Sequence, residues 1–560
     1  MSVLGLQREA LLRTSRCMLA ISVGAVAALT ATALQQQPST SAAPKLVLVL
    51  SVDQMRYDYL TRFRPLYKGG LKTLIDRAAV FSNAHYRHAN SETGPGHSVI
   101  TSGQNAGYSG IVANEWYDSL LKRQVNVVED PSVVALGGAG RGASPIHFLG
   151  FTIGDMLKKK NVASRAVGVS VKDRSAILMA GPRADAAYWF EVQGGNFVTS
   201  TYYMKTAPAW LQAWNAKHAV DAFAGQSWTK SLPEEIYKKY AGQDDMPGEF
   251  DLKDTVFPHV YPSPAGSVAY YTAFRRSPMA DELLLDVALE AMKAHEIGTR
   301  DATDLFAIGF SATDSIGHAF GPDSHEILDQ MVRLDRTIGR LFDAIEQRVG
   351  MSRTLVVLSA DHGVMPLVER LKSQGVDARR ARPEDFQKAV AAALESRFPG
   401  KAGLVALQLG PDVWLDLPVL ERLGLKRSDV EAAVEKGLLN TGLVTSVYTH
   451  AQLIGDPPAD DPHFAQIRAS FFAPRSPHLS GLVREFIYLG SNTYVAGTGH
   501  GGPYEDDLHV PVVLMGPGVK PGFYDKAAGP EDIAPTLGLL LGLEYPVQDG
   551  ARQLREILPN

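Results

Sequence analysis

Asp53, Asp314, His318, Asp361, His362 and His500 share two properties: each can bind a metal, and each follows a run of residues patterned like a buried strand. Lys45–Asp53, Leu305–Asp314 and Thr354–Asp361 are short leucine- or β-branched-rich runs that each end on an aspartate, the pattern of strands covered on both faces. In an open α/β sheet ligands gather beyond the carboxyl ends of the strands, so these aspartates are expected to converge although they are far apart in sequence. One aspartate after a strand is usually a turn former or a helix cap. The coincidence of three, two with histidines beside them, points to metal binding. Asp314 and His318 are four residues apart, so one turn of chain presents both to one ion, and Asp361 and His362 are adjacent. Mixed carboxylate and imidazole donors suit Zn²⁺, with Mn²⁺ or Co²⁺ tolerated. His500, in a glycine-rich loop before the strand-like run Val510–Gly516, is a candidate remote ligand. Among the other histidines, His85, His88, His218, His259 and His295 have no acidic residue at ligand spacing and are expected to be structural.

Thr93-Gly94-Pro95-Gly96 reads as a tight turn feeding a helix, with Pro95 near the first helical position. A threonine there lies at the positive end of the helix, where anions bind, and a metal ion would favour its alkoxide. Without metal ligands nearby, Thr93 would read as a plain N-cap. With them, it is a candidate nucleophile. Lys172 and Arg174 follow the strand-like Arg165–Val171, and continued extension would project both cations to one side. Such pairs are usually solvated, but past a strand end this one fits a phosphate clamp.

These residues, in order, resemble the motif series of the alkaline phosphatase superfamily: Ser51–Leu60, Thr93–Gly103, Gly110–Trp116, Val171–Leu178, Asp314–His318, Ser359–Val364 and Gly499–Val513. Within it the series is similar to the secreted bacterial monoesterases with a threonine nucleophile, the PafA and PhoK type, from about Lys45 to the C-terminus. The resemblance implies an α/β fold with a central, mostly parallel sheet flanked by helices and insertions covering the site. It implies two Zn²⁺, one held by Asp53, Thr93, Asp361 and His362 and the other by Asp314, His318 and His500. It also assigns Asn114, Lys172 and Arg174 to substrate phosphoryl oxygens. Two cations about 4 Å apart would hold the attacking and leaving oxygens of an in-line displacement, so no dedicated general acid is required. The expected substrates are small phosphate monoesters, hydrolysed through a phosphothreonine. The alternatives are a phosphodiesterase of the nucleotide pyrophosphatase type and a secreted metal-binding protein without catalysis. Asn114 and Lys172-x-Arg174 argue against the first, because a second ester group would occupy space where they seek free oxygens, and Thr93 argues against the second. An added structural Ca²⁺ or Mg²⁺, and the oligomeric state, are left open.

Composition agrees. At 560 residues and 45% hydrophobic content the chain can bury a large core, and a net charge of −5 carries no basic surplus for nucleic acid. Arg8, Arg13 and Arg16 precede an apolar stretch from Cys17 to Leu34, and Ala31-Thr32-Ala33 offers a small-residue cleavage site, so residues 1–44 read as an export signal and linker. The stretch nearly suffices for an uncleaved anchor, but its alanine and glycine make it only mildly hydrophobic. A periplasmic or secreted protein without stable membrane association is expected. Cys17 is the only cysteine, which excludes structural disulfides and a cysteine-derived formylglycine. Residues 45–560 are expected to form the catalytic domain, with insertions at about 182–300 and 366–485. Ile327, Met331, Leu334, Ile338, Leu341 and Ile345 recur at helical spacing after a capping box at Asp323–Glu326, and Trp116 and Tyr117, close to Asn114, are expected in the core, with the pocket wall as the alternative.

Overall fold

The strand ends that carry the aspartates lie side by side in one ten-stranded sheet. In chain order its strands are β1 (Leu46–Val52), β2 (Ala79–Phe81), β3 (Ala135–Leu136), β4 (Ala166–Ser170), β5 (Ala186–Glu191), β6 (Asn196–Ser200), β7 (Asp304–Phe310), β8 (Thr354–Ser359), β9 (Val512–Met515) and β10 (Gly522–Tyr524). Across the sheet they run β10-β2-β9-β8-β1-β7-β4-β5-β6-β3. β8, β1, β7, β4 and β5 are mutually parallel; β9 is antiparallel to both β8 and β2. This computed structural model describes residues 43–250, 255–458, 460–490, 496–548 and 550–559. The expected export signal, with Cys17, lies outside the described residues. Pro44–Asn560 forms one compact unit, and no helix among the described residues is long and apolar enough to cross a membrane.

β1 shows why the strands read as unbroken apolar runs. Leu46, Leu48, Leu50 and Val52 enter the core on one face, while Val47 and Val49 enter a second core on the other. Register then fixes the site: Val52 pairs with Phe310, Ser51 with Ser359, and Gly309 with Ser170, so the chain leaves β1, β7, β8 and β4 at one edge.

The helices follow from the same pattern. α1 (Thr93–Ser102) is wholly buried, α2 (Asp173–Ala180) follows β4, α3 (Pro278–Ala294) and α4 (Ala312–Phe320) flank β7, and α5 (His325–Arg348) buries the apolar stripe from Ile327 to Ile345. Ser324, inside the expected capping box, is the N-cap of α5 and accepts from Ile327 N. Its neighbour Asp323 instead pairs with Arg62 and Arg370.

The sheet extends past residue 181, since β5 and β6 belong to it. The segment that follows is tied to α5 through Asp329, whose carboxylate accepts from Trp228 Nε1 (2.7 Å), Ser231 N (2.8 Å), Tyr237 Oη (2.6 Å) and Arg333 Nε (2.7 Å). Within residues 366–485, Val405–Leu409, Asp412–Leu415, Val444–Thr449 and Leu479–Val483 form a separate four-stranded sheet over their own core, with helices Pro383–Arg397 and Arg427–Asn440. Trp116 is 1% exposed in a core cluster and Tyr117 packs against it half-buried.

Candidate active site

Asp53, Asp314 and Asp361 meet at the shared strand edge. Asp53 directly follows β1 and its N–H donates to Phe310 O at 2.9 Å; Asp361 lies two residues past β8; Asp314 is in the first turn of α4. All three are buried. Both Asp53 oxygens, Asp361 Oδ2 and His362 Nε2 make no well-directed hydrogen bond and meet only the close ionisable groups Lys172, His97 and one another, an arrangement of donors that a cation would complete.

The histidines share one orientation. His318 Nδ1 donates to Thr498 O (2.7 Å), His362 Nδ1 to Gly363 O (2.9 Å) and His500 Nδ1 to Ser91 O (2.6 Å). A carbonyl can only accept, so each neutral ring keeps its lone pair on Nε2. Those Nε2 atoms lie 3.4, 4.0 and 3.8 Å from Asp314 Oδ1, with His362 Nε2 also 3.2 Å from Asp361 Oδ2. Metal-ligating histidines are held this way by backbone acceptors. Asp314, His318 and His500 form one group able to hold an ion.

A second group is Asp53, Asp361 and His97. His97 donates Nδ1–H to Thr93 O (2.9 Å), one helical turn back, and its Nε2 lies 3.1 Å from Asp53 Oδ1. The sequence reading passed over His97 because its acidic neighbours come from distant strand ends. Its place in α1, four residues after Thr93 on the same face, is the signal that finds it.

Electrostatics bind the two groups together. Lys172 Nζ reaches Asp314 Oδ2 at 2.7 Å and Asp53 Oδ2 at 3.1 Å, one carboxylate from each group. Burial resists the Lys172 charge, but Asp314 and Asp53 overcome it and hold its pKa above the ordinary lysine value. Burial likewise opposes ionisation of Asp314 and Asp361. Lys172 and His318 prevail at the first, which lies well below the usual carboxylate range, and His362 and His97 at the second, which is also lowered. Burial, with His362 and His318 adjacent, keeps His500 well below the usual histidine value and therefore neutral.

Thr93 is the first residue of α1, with Glu92 as its N-cap, so Pro95 lies two residues further in. Asn114 Oδ1 accepts from Gly94 N (2.8 Å), and Asn114 N donates to Glu92 Oε2 (2.6 Å), which sets the amide against the turn that carries Thr93. The expected extended Lys172–Arg174 segment does not continue. Lys172 is extended, but it caps α2, and Asp173 and Arg174 are already helical. The cations nevertheless stay together: Arg174 acts on the charges of both Lys172 and Glu92. Arg275, absent from the sequence reading, is a further cation there; burial and then Arg174 lower its pKa, and its buried Nε has no partner. A cavity of about 520 Å³ opens beside the site, with Asn114, His318, His500, Asp412, Trp414 and Tyr488 among its lining residues.

Fold and site together are those of metal-dependent enzymes that cleave phosphate esters. Residues 47–450 match the family described as type I phosphodiesterase / nucleotide pyrophosphatase. The chain is 31% identical to the alkaline phosphatase PafA of Elizabethkingia meningoseptica over 528 residues, 92% of this chain and 94% of that protein. It is also 31% identical to the alkaline phosphatase PhoV of Synechococcus elongatus over 539 residues, 93% and 94% of the two chains. A crystal structure of PafA superposes with a TM-score of 0.85 at 30% identity, covering 92% of this chain and 99% of that one. The chain belongs to the type I phosphodiesterase / nucleotide pyrophosphatase family, within the alkaline phosphatase superfamily.

Proposed function

We propose that this protein is an alkaline phosphatase that hydrolyses small phosphate monoesters through a phosphothreonine at Thr93. The observation that carries the reading is Asn114 held against the turn that bears Thr93 and Lys172 reaching both donor groups, with Arg174 in the first turn of the helix that Lys172 caps. Two Zn²⁺ fit the buried carboxylate oxygens and the Nε2 lone pairs turned toward them: Asp53, Thr93, Asp361 and His362 would hold one, and Asp314, His318 and His500 the other. When bound, they supply positive charge for the attacking and leaving oxygens.

The remaining work falls to the chain. Thr93 gives up its hydroxyl proton to solvent as Oγ1 attacks phosphorus, the ester P–O bond breaks, and the leaving alkoxide takes a proton from water. Water then attacks the phosphothreonine, breaking the bond to Thr93, whose oxygen takes back a proton as inorganic phosphate is released. The N-terminus of α1 places backbone dipoles behind Thr93. Gly94 N fixes the Asn114 oxygen, which leaves Nδ2 as a donor to a phosphoryl oxygen, and Lys172 and Arg174 stabilise the charge that spreads over those oxygens.

The family description favours the rival reading, a phosphodiesterase. Against it, the cluster of donors suits the additional charged oxygen of a monoester. Export to the periplasm or medium, read from the N-terminal sequence, is part of the proposal.

Acid quenching during turnover of an aryl phosphate monoester, followed by mass spectrometry, tests the intermediate. The peptide containing Thr93 is expected to gain one phosphoryl group. Steady-state turnover with no covalent phosphate on any residue would refute the mechanism.

A further inference from the structure

Among the described residues, a third group of donors stands apart from the two at the strand ends: His85, Glu505 and His509, with ligand atoms within 4.8 Å of one another. None of the three lines the cavity beside the site. The backbone preorganises them. His85 and His509 face each other across an antiparallel bridge, while Glu505 opens the short helix Glu505–Leu508 and His509 ends it. The two rings stack at 4.3 Å, and Tyr57 stacks on His509 at 4.8 Å. His85 Nε2 lies 2.9 Å from Glu505 Oε2, and His509 Nδ1 lies 2.8 Å from Oε1.

The protons make this arrangement unusual. His509 Nε2 lies 3.0 Å from Ser82 O, and a carbonyl can only accept, so Nε2 carries the hydrogen. A neutral His509 then turns the Nδ1 lone pair onto a carboxylate oxygen, acceptor against acceptor. Either a second ring proton or a cation must lie between them. An imidazole whose far nitrogen donates to a backbone carbonyl while its near nitrogen faces a carboxylate is the arrangement of a metal ligand with its supporting shell.

We propose that His85, Glu505 and His509 form a third, peripheral metal site for a divalent transition-metal ion of the zinc class, with water completing the coordination. Donors 2.0–2.1 Å from a tetrahedral ion lie about 3.3 Å apart, so the two His–Glu contacts of 2.9 and 2.8 Å would lengthen by about half an ångström to admit one. Glu505 is two-thirds exposed, which gives an ion a path in. The site joins the segment after β2 to the turn whose Asp507 accepts from Gly501 N and Gly502 N, beside His500. Its role is therefore to staple that turn, without contact with substrate.

The test compares the full chain with Glu505→Gln, an exposed isosteric change, and with His85→Asn/His509→Asn. Each is equilibrated with Zn²⁺ and measured for zinc per chain, zinc-dependent Tm and turnover of an aryl phosphate monoester. Wild type is expected to hold one zinc per chain more than either variant, with a zinc-dependent rise in Tm that Glu505→Gln loses and with similar turnover. Equal zinc content and equal Tm response in wild type and Glu505→Gln overturn the proposal. Should the double variant fail to fold, Glu505→Gln decides alone. A wild type that lacks phosphatase activity but still exceeds Glu505→Gln by one zinc refutes the functional reading and supports this site.

Discussion

Gly96→Ala asks whether α1 and the β8 end must touch for the site to work. A Cβ on Gly96 would lie 2.1 Å from Asp361 O, and ordinary contact begins at 3.4 Å, so the backbones must separate by about 1.3 Å. The far end of a flexible side chain could yield, but a strand-end carbonyl cannot do so cheaply. Tyr86 Oη also holds the two segments together, donating to Ala360 O at 2.7 Å and reaching Gly96 O at 3.3 Å. The movement separates Thr93, one turn earlier on α1, from Asp361, and a misplacement of about 1 Å costs roughly a hundredfold in rate. We therefore expect kcat/KM on an aryl phosphate monoester to fall about a hundredfold or more. The strain should cost about 1–3 kcal/mol of stability, leaving a folded protein. Gly107→Ala is the control, because its Cβ would meet nothing closer than Phe471 O at 3.8 Å. The assay is steady-state kinetics with metal content and Tm on the same samples. A Gly96→Ala enzyme with kcat/KM within about threefold of wild type would refute the claim that this contact sets the reacting geometry.

Thr93→Ala should nearly abolish turnover while keeping the fold, and Thr93→Ser should retain measurable activity; near-wild-type rates for Thr93→Ala would favour direct attack by water. Chelation should remove activity, and His318→Ala or His500→Ala should lower the occupancy of one metal position more than the other by elemental analysis; active protein free of transition metal would contradict this. Asp329→Asn should destabilise the fold by about 3–5 kcal/mol at pH 7, because it breaks a buried charge from its donors. Burial opposes the Asp329 charge, but Arg333 and the Ser231, Trp228 and Tyr237 donors overcome it and lower its pKa. A lowered folded-state pKa means the contribution is present above the unfolded value, about 3.9, and is lost as pH falls through the folded value. The denaturation gap between wild type and Asp329→Asn should therefore narrow below about pH 4. A gap independent of pH would contradict the ion-pair account.

The parts of the site written at strand ends were legible because a buried parallel strand is an unbroken apolar run and its carboxyl end is where the chain first becomes polar. Asp53, Asp314 and Asp361 are placed by that rule, and parallel register aligns them. Contacts made across the sheet were not legible. His97 meets Asp53 and Asp361 only after three segments fold together, and Glu505 lies 420 positions from His85. His85 was therefore read as lacking an acidic partner. Lys172-x-Arg174 illustrates a third case. Their closeness was expected from extended backbone, whereas they stay together at the start of a helix, which a run of three residues cannot distinguish. Nor does Val512–Met515 reveal its antiparallel direction, since both orientations bury the same side chains.

Monoester specificity is the central claim, and one ratio tests it most directly: kcat/KM for an aryl phosphate monoester over that for the matching diester, in wild type and in Lys172→Ala/Arg174→Ala. A monoester offers more charged, unesterified oxygen, and charge-assisted hydrogen bonds contribute roughly 1.5–3 kcal/mol each. Wild type is expected to prefer the monoester. The double variant should lose on the order of a hundredfold or more in monoester kcat/KM, with a much smaller loss for the diester, although neighbouring charges need not add. A ratio unchanged by the double substitution, or a wild type that already prefers the diester, would contradict the account and assign the protein to phosphodiester hydrolysis.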